Sequence, residues 1–118
     1  MTENPEYEII FYTRSSGQCP MDEFLDELPV KVRAKLMKWM EILEVEGPNL
    51  PRPFADSVRG KIRELRLQFG GNQYRCLYFF HGKQIVMTHG FLKKTDHVPE
   101  GEIRYAENAM REYFHEKI

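Results

Sequence analysis

Cysteine is scarce in this chain. Only Cys19 and Cys76 occur; they lie far apart and outside any metal-type spacing, so no cysteine-based metal centre is expected. Cys76, inside an apolar run, reads as core filler, and Cys19 as a free thiol. The four histidines, His81, His89, His97 and His115, form no HxxxH pattern, and no metal and no cofactor is expected. No apolar run approaches the roughly 18–20 residues needed to span a bilayer. The opening stretch, MTENPEYEIIFY, lacks a basic region followed by an apolar core, so a signal peptide is not expected there. The expected location is the cytoplasm, without membrane contact. Internal repeats, linkers and low-complexity stretches are missing too.

Acidic residues are nearly absent from one long segment. Between Arg59 and Lys94 stand Arg59, Lys61, Arg63, Arg66, Arg75, Lys83, Lys93 and Lys94 against a single acid, Glu64. The stretches before and after it are acidic, so a formal net charge of -1 conceals a +7 segment. Such segregation points to a polyanionic partner. A length of 118 residues with 42% hydrophobic content suits a single domain over residues 1–118 with one core.

Apolar periodicity gives the order β-α-α-β-β-β-α. Glu8–Tyr12 (EIIFY) reads as a first strand and Ser15-Ser16-Gly17 as a turn. Pro20 suits the first turn of a helix, on which Met21, Phe24, Leu25 and Leu28 form an apolar stripe. Asp22, Glu23, Asp26 and Glu27 form either a solvated face or a docking face for a basic partner. Pro29 separates a second helix, roughly Val30–Glu46, with Val32, Leu36, Trp39, Met40 and Leu43 on one side; Trp39 reads as core. Gly47-Pro48 stops it. Residues 48–60, rich in proline, read as a loop.

Three strands follow: Lys61–Phe69, Gln73–Phe80 and Gln84–Leu92, joined at Gly70-Gly71-Asn72 and His81-Gly82. Alternation places Arg75, Leu77 and Phe79 on one face and Tyr74, Cys76, Tyr78 and Phe80 on the other. It also places His89 with Ile85, Met87 and Phe91. A last helix spans about Pro99 to Lys117. The expected fold is α+β: an antiparallel sheet, two early helices on one face, and a C-terminal helix partly lining an otherwise open cationic face.

Arg66 and Arg75 fall on neighbouring strands, and Lys93 and Lys94 close the next one. Arginine offers planar, bidentate phosphate contacts, and a lysine offers a compact charge for a developing oxyanion. Together they suit attack of an RNA 2′-OH on the adjacent phosphate. Surface ion pairing is the competing account of each. Arg75 resists it best, because it interrupts an apolar strand where desolvating a guanidinium is costly.

The strings ELRLQFGGNQYRCLYFF (Glu64–Phe80) and HGKQIVMTHGFLKKT (His81–Thr95) resemble the phage Gp49-like, HigB-type branch of the RelE/ParE toxin superfamily. The ELR, the glycine turn, the YR before an apolar strand and the HGFLKK ending match in order. The resemblance implies the toxin of a type II toxin–antitoxin pair, a ribosome-dependent, metal-independent mRNA endonuclease. It implies as partners a helix-turn-helix antitoxin, ribosome and mRNA, and operator DNA through the antitoxin. Carried over, Arg75 is the phosphate or transition-state ligand and Arg66 a second contact. Lys93 or Lys94 serves as base, with His89 or Tyr105 as its partner in proton transfer. Arg59, Lys61, Arg63 and Lys83 are the expected RNA or ribosome contacts. Two other readings remain: a gyrase poison of the ParE branch, which lacks this cationic set, and a non-catalytic nucleic-acid-binding co-repressor, for which charge alone suffices.

Overall fold

The computed structural model describes residues 4–116. Its elements run β1 (Glu8–Phe11), α1 (Pro20–Glu27), α2 (Val30–Glu46), a 3-10 turn (Gly47–Asn49), β2 (Ala55–Arg59), β3 (Ile62–Phe69), β4 (Asn72–His81), β5 (Gln84–Lys93) and α3 (Glu100–Glu116). The expected end of the last helix, Lys117, lies outside the described residues. No helix among them is long and apolar enough to cross a membrane.

The strands form one sheet in the order β1-β5-β4-β3-β2. Two features differ from the antiparallel meander expected above. First, β1 runs parallel to β5, Glu8 opposite Gln84 and Phe11 opposite Met87, so the sheet is mixed. A parallel pair needs a long crossover, which the two early helices supply. Second, the proline-rich loop ends early, and Ala55–Arg59 form an edge strand antiparallel to β3. Short, charged edge strands resist pairing with other chains, and the polar ADSVR pattern hid this one. The β3–β4 turn is as read: Gly70 and Gly71 both have positive φ, 59° and 83°, the type I′ geometry that matches strand twist.

The two faces of the sheet hold separate apolar clusters. On one, Met21 and Leu25 of α1 and Val32, Leu36, Met40 and Leu43 of α2 pack on Leu65, Leu67, Cys76, Tyr78, Ile85 and Met87. On the other, Ala106, Ala109 and Tyr113 of α3 pack on Ile62, Leu77, Phe79 and Val86. The alternation of β3 and β4 holds throughout.

In β5 it breaks. Leu77 pairs with His89 but Tyr78 pairs with Met87, leaving Thr88 as the extra residue of a β-bulge. A one-residue slip exchanges the faces of all that follows. His89 and Phe91 therefore share the α3 side with Val86, and the expectation that His89 shares a face with Ile85 and Met87 is corrected. The same slip turns Gly90 towards α1, where a Cβ would fall well inside contact distance of the Phe24 ring.

Gly90→Ala should accordingly destabilise the fold by roughly 1–3 kcal/mol through overpacking, measured by urea denaturation. Combining it with Phe24→Leu should recover part of that loss. Wild-type stability of the single variant would show that α1 does not sit on Gly90.

Candidate active site

The α3 face is only half covered. Beyond the helix, towards the β3–β4 turn, polar positions of β3, β4 and β5 line two open hollows, with Arg75 and Glu64 buried at their floor. In register, Arg66 faces Arg75, Arg75 faces Phe91 and Gln73 faces Lys93. Two adjoining hollows, of about 450 and 530 Å³, share Arg66, Arg75, Lys93 and Asp96. The first also holds Arg52, Asp56, Glu64 and His97; the second holds Lys94.

Directly opposed like charges destabilise a strand pair, and Glu64 offsets the two arginines. Arg75 is 2% exposed and Glu64 8%. Arg75 Nε lies 2.9 Å from Glu64 Oε1, close in distance but poorly aligned for a hydrogen bond. Arg75 Nη1 donates to the Tyr74 carbonyl at 3.0 Å, and Nη2 to Gln73 Oε1 at 3.2 Å. Burial lowers the Arg75 pKa from its ordinary value, Glu64 opposes that, and Arg66 adds to it. Each Nη nitrogen carries two N–H groups, so one on each is left over from these bonds. Arg66 and Lys93 are half-buried and Lys94 is exposed, so these three are the solvent-facing cations of the hollows. Among the described residues, no group of three or more His, Cys, Asp or Glu side chains is placed to hold a metal.

The other expected site residues lie elsewhere. His89 is buried under α3, its Nε2 2.9 Å from Glu102 Oε1 and its Nδ1 3.0 Å from Thr88 Oγ1. The Tyr105 ring packs 4.6 Å from the His89 ring, and neither residue lines the two hollows. Arg59 is held by α3: its guanidinium bonds both oxygens of Glu100 at 2.9 and 2.8 Å and both of Glu107 at 3.2 and 2.8 Å, which raises its pKa further. Arg63 lies on the α1–α2 face, donating to Ser57 Oγ at 3.1 Å. Lys61 is exposed in the β2–β3 turn. Lys83 sits in the β4–β5 turn over the Tyr7 ring, and β5 puts it about 30 Å from Lys93 at ~3.3 Å per residue.

The sequence reading overlooked Glu64, the buried counter-ion, and His97, the one histidine lining the hollows. Glu64 is the sole acid of the +7 segment, two residues before Arg66, and that isolation was the available signal. His97 falls four residues beyond Lys93 in an irregular stretch with no periodicity to place it.

Residues 23–111, well over half of the chain, match the family model described as phage derived protein Gp49-like (DUF891). No curated protein matches the sequence.

Two consequences can be measured. Glu64→Gln leaves the buried Arg75 charge uncompensated and should cost roughly 3–5 kcal/mol of stability in urea, most of it recovered when Arg75 is also replaced by Met. An additive double variant would dissolve the pairing. Burial also holds the His89 pKa below the usual histidine value, against the pull of Glu102. The folded state then binds fewer protons than the unfolded chain, so this contribution is present above about pH 6.5 and lost as pH falls through the lower folded pKa. An imidazole NMR titration of His89 should give a midpoint below 6.5, and a midpoint above it would contradict the burial argument.

Proposed function

Because the chain belongs to the phage-derived Gp49-like family, a RelE/HigB-type toxin family whose members imply an antitoxin partner, we propose that it is a ribosome-dependent mRNA endonuclease neutralised by that antitoxin. One observation carries this reading: Arg66 and Lys93 converge with buried Arg75 in one open groove. The reaction it suits is transfer of an RNA phosphodiester. The 2′-oxygen forms a bond to the adjacent phosphorus while the bond from phosphorus to the 5′-oxygen breaks. A base takes the 2′-OH proton and an acid protonates the departing oxygen.

The phosphorane-like transition state carries more negative charge than the substrate. Arg66 and Lys93, fixed on strands, need little reorganisation to meet it. Arg75 acts from beneath: it adds charge, and through Glu64 and Gln73 it holds the floor of the groove. His97 stands at the groove wall and offers an imidazole for proton transfer there, a role that the buried His89–Tyr105 pair is less able to take. Lys94 stands at the groove's outer edge. The helix-turn-helix form of the antitoxin, and operator DNA reached through it, belong to the same proposal.

Purified protein is added to a reconstituted translation reaction and mRNA 5′ ends are mapped. Cuts should require ribosomes, and Arg66→Ala or Lys93→Ala should each slow them about 10²–10³-fold. Both side chains are half-buried rather than core, so the variants should keep wild-type melting curves. Intact mRNA with continuing translation would favour a gyrase poison or a co-repressor instead.

A further inference from the structure

Past the end of β2, the β3 edge carries a third hollow of about 240 Å³. It is lined by Arg66 and Arg75, the two arginines of the groove, and then by different chemistry: Trp39, Phe54 and Gln68. The Trp39 and Phe54 rings meet edge to face with centroids 5.5 Å apart. Trp39 is half-buried, so it belongs to the core on one side only. Lys35 stands at the rim, its ammonium 5.5 Å from the Trp39 centroid. The Gln68 side chain is exposed and has no hydrogen-bond partner among the described residues, which leaves an amide donor and acceptor on offer.

An aromatic pair, an unengaged amide and a rim cation are what a planar heterocycle requires. The volume lies below the roughly 300–1,000 Å³ typical of drug-sized ligands, which suits one ring system rather than a whole cofactor. Arg66 borders both hollows, so a phosphate held by it would present its attached nucleoside towards Trp39 and Phe54. The geometry points to a nucleobase subsite formed by Trp39, Phe54 and Gln68 next to the phosphate groove, binding a base of the RNA strand whose phosphate Arg66 engages. This subsite rests on the phosphodiester reading above and adds a point at which the base itself is contacted.

Trp39 is the only tryptophan, so its emission reports directly on the hollow. The probe is a 2′-O-methylated RNA trinucleotide, which cannot be cut, compared at low salt with the same backbone lacking its central base. Stacking one base on an aromatic side chain corresponds to roughly 5- to 150-fold in affinity. The intact probe should therefore bind about tenfold tighter or more than the abasic one and change Trp39 emission. Phe54→Leu should erase that difference without altering abasic binding. Gln68→Ala, at an exposed position that does not threaten folding, should reduce it. Equal, Arg66-dependent binding of both probes would overturn the base subsite and leave the phosphate groove standing. Binding of neither would overturn the base subsite, while the phosphodiester reading stands or falls on the ribosome-dependent mapping of mRNA 5′ ends.

Discussion

The groove depends on a charge where β-sheets usually hold apolar side chains. Arg75 is buried inside β4, and the carboxylate of Glu64 is the opposite charge beside it. Removing water from a guanidinium is costly, and a facing arginine makes it costlier. The structure answers with a fixed acid, a backbone carbonyl and a glutamine amide around three of the nitrogens of one side chain. Each of those contacts also has a consequence for the neighbours. Glu64 is held on β3 beside Arg66, Gln73 on β4 beside Lys93, and the polar end of the sheet becomes a surface of fixed charges rather than of mobile ones.

Much of this was legible beforehand because alternation is a strong signal in β3 and β4. It separated Arg75, Leu77 and Phe79 from Tyr74, Cys76 and Tyr78 within β4, and the strand register then brings Arg66 opposite Arg75. The helices were legible for a similar reason, since the stripes Met21–Leu25 and Val32–Leu43 have unbroken spacing. Alternation failed in β5, where Thr88 has no opposite residue in the β4 register. Nothing in QIVMTHGFLK marks that site as a bulge, yet everything beyond it changes side, so a histidine assigned to one cluster lies in the other.

The remaining failures are of pairing rather than of pattern. Arg59 and Lys83 contribute to the +7 segment as much as Arg66 does. In three dimensions Arg59 is neutralised by Glu100 and Glu107, which lie far along the chain, and Lys83 stands at the opposite end of the sheet. The charge count of a segment therefore overstates the charge of the groove. His97 was overlooked for the converse reason: it lies in an irregular connection, and only the return of the chain from β5 towards α3 brings it to the wall.

The parallel pairing of β1 with β5 sets an order of assembly. Glu8 emerges early in synthesis, but its partner Gln84 is made only after both early helices and three further strands. Contacts so remote in sequence carry a large loop-closure cost and form slowly. The strand that closes the sheet on β1 is also the strand that delivers Lys93 to the groove. A chain that lacks β5 has neither a closed sheet nor a complete set of groove cations, so closure of the fold and completion of the charged groove are one event.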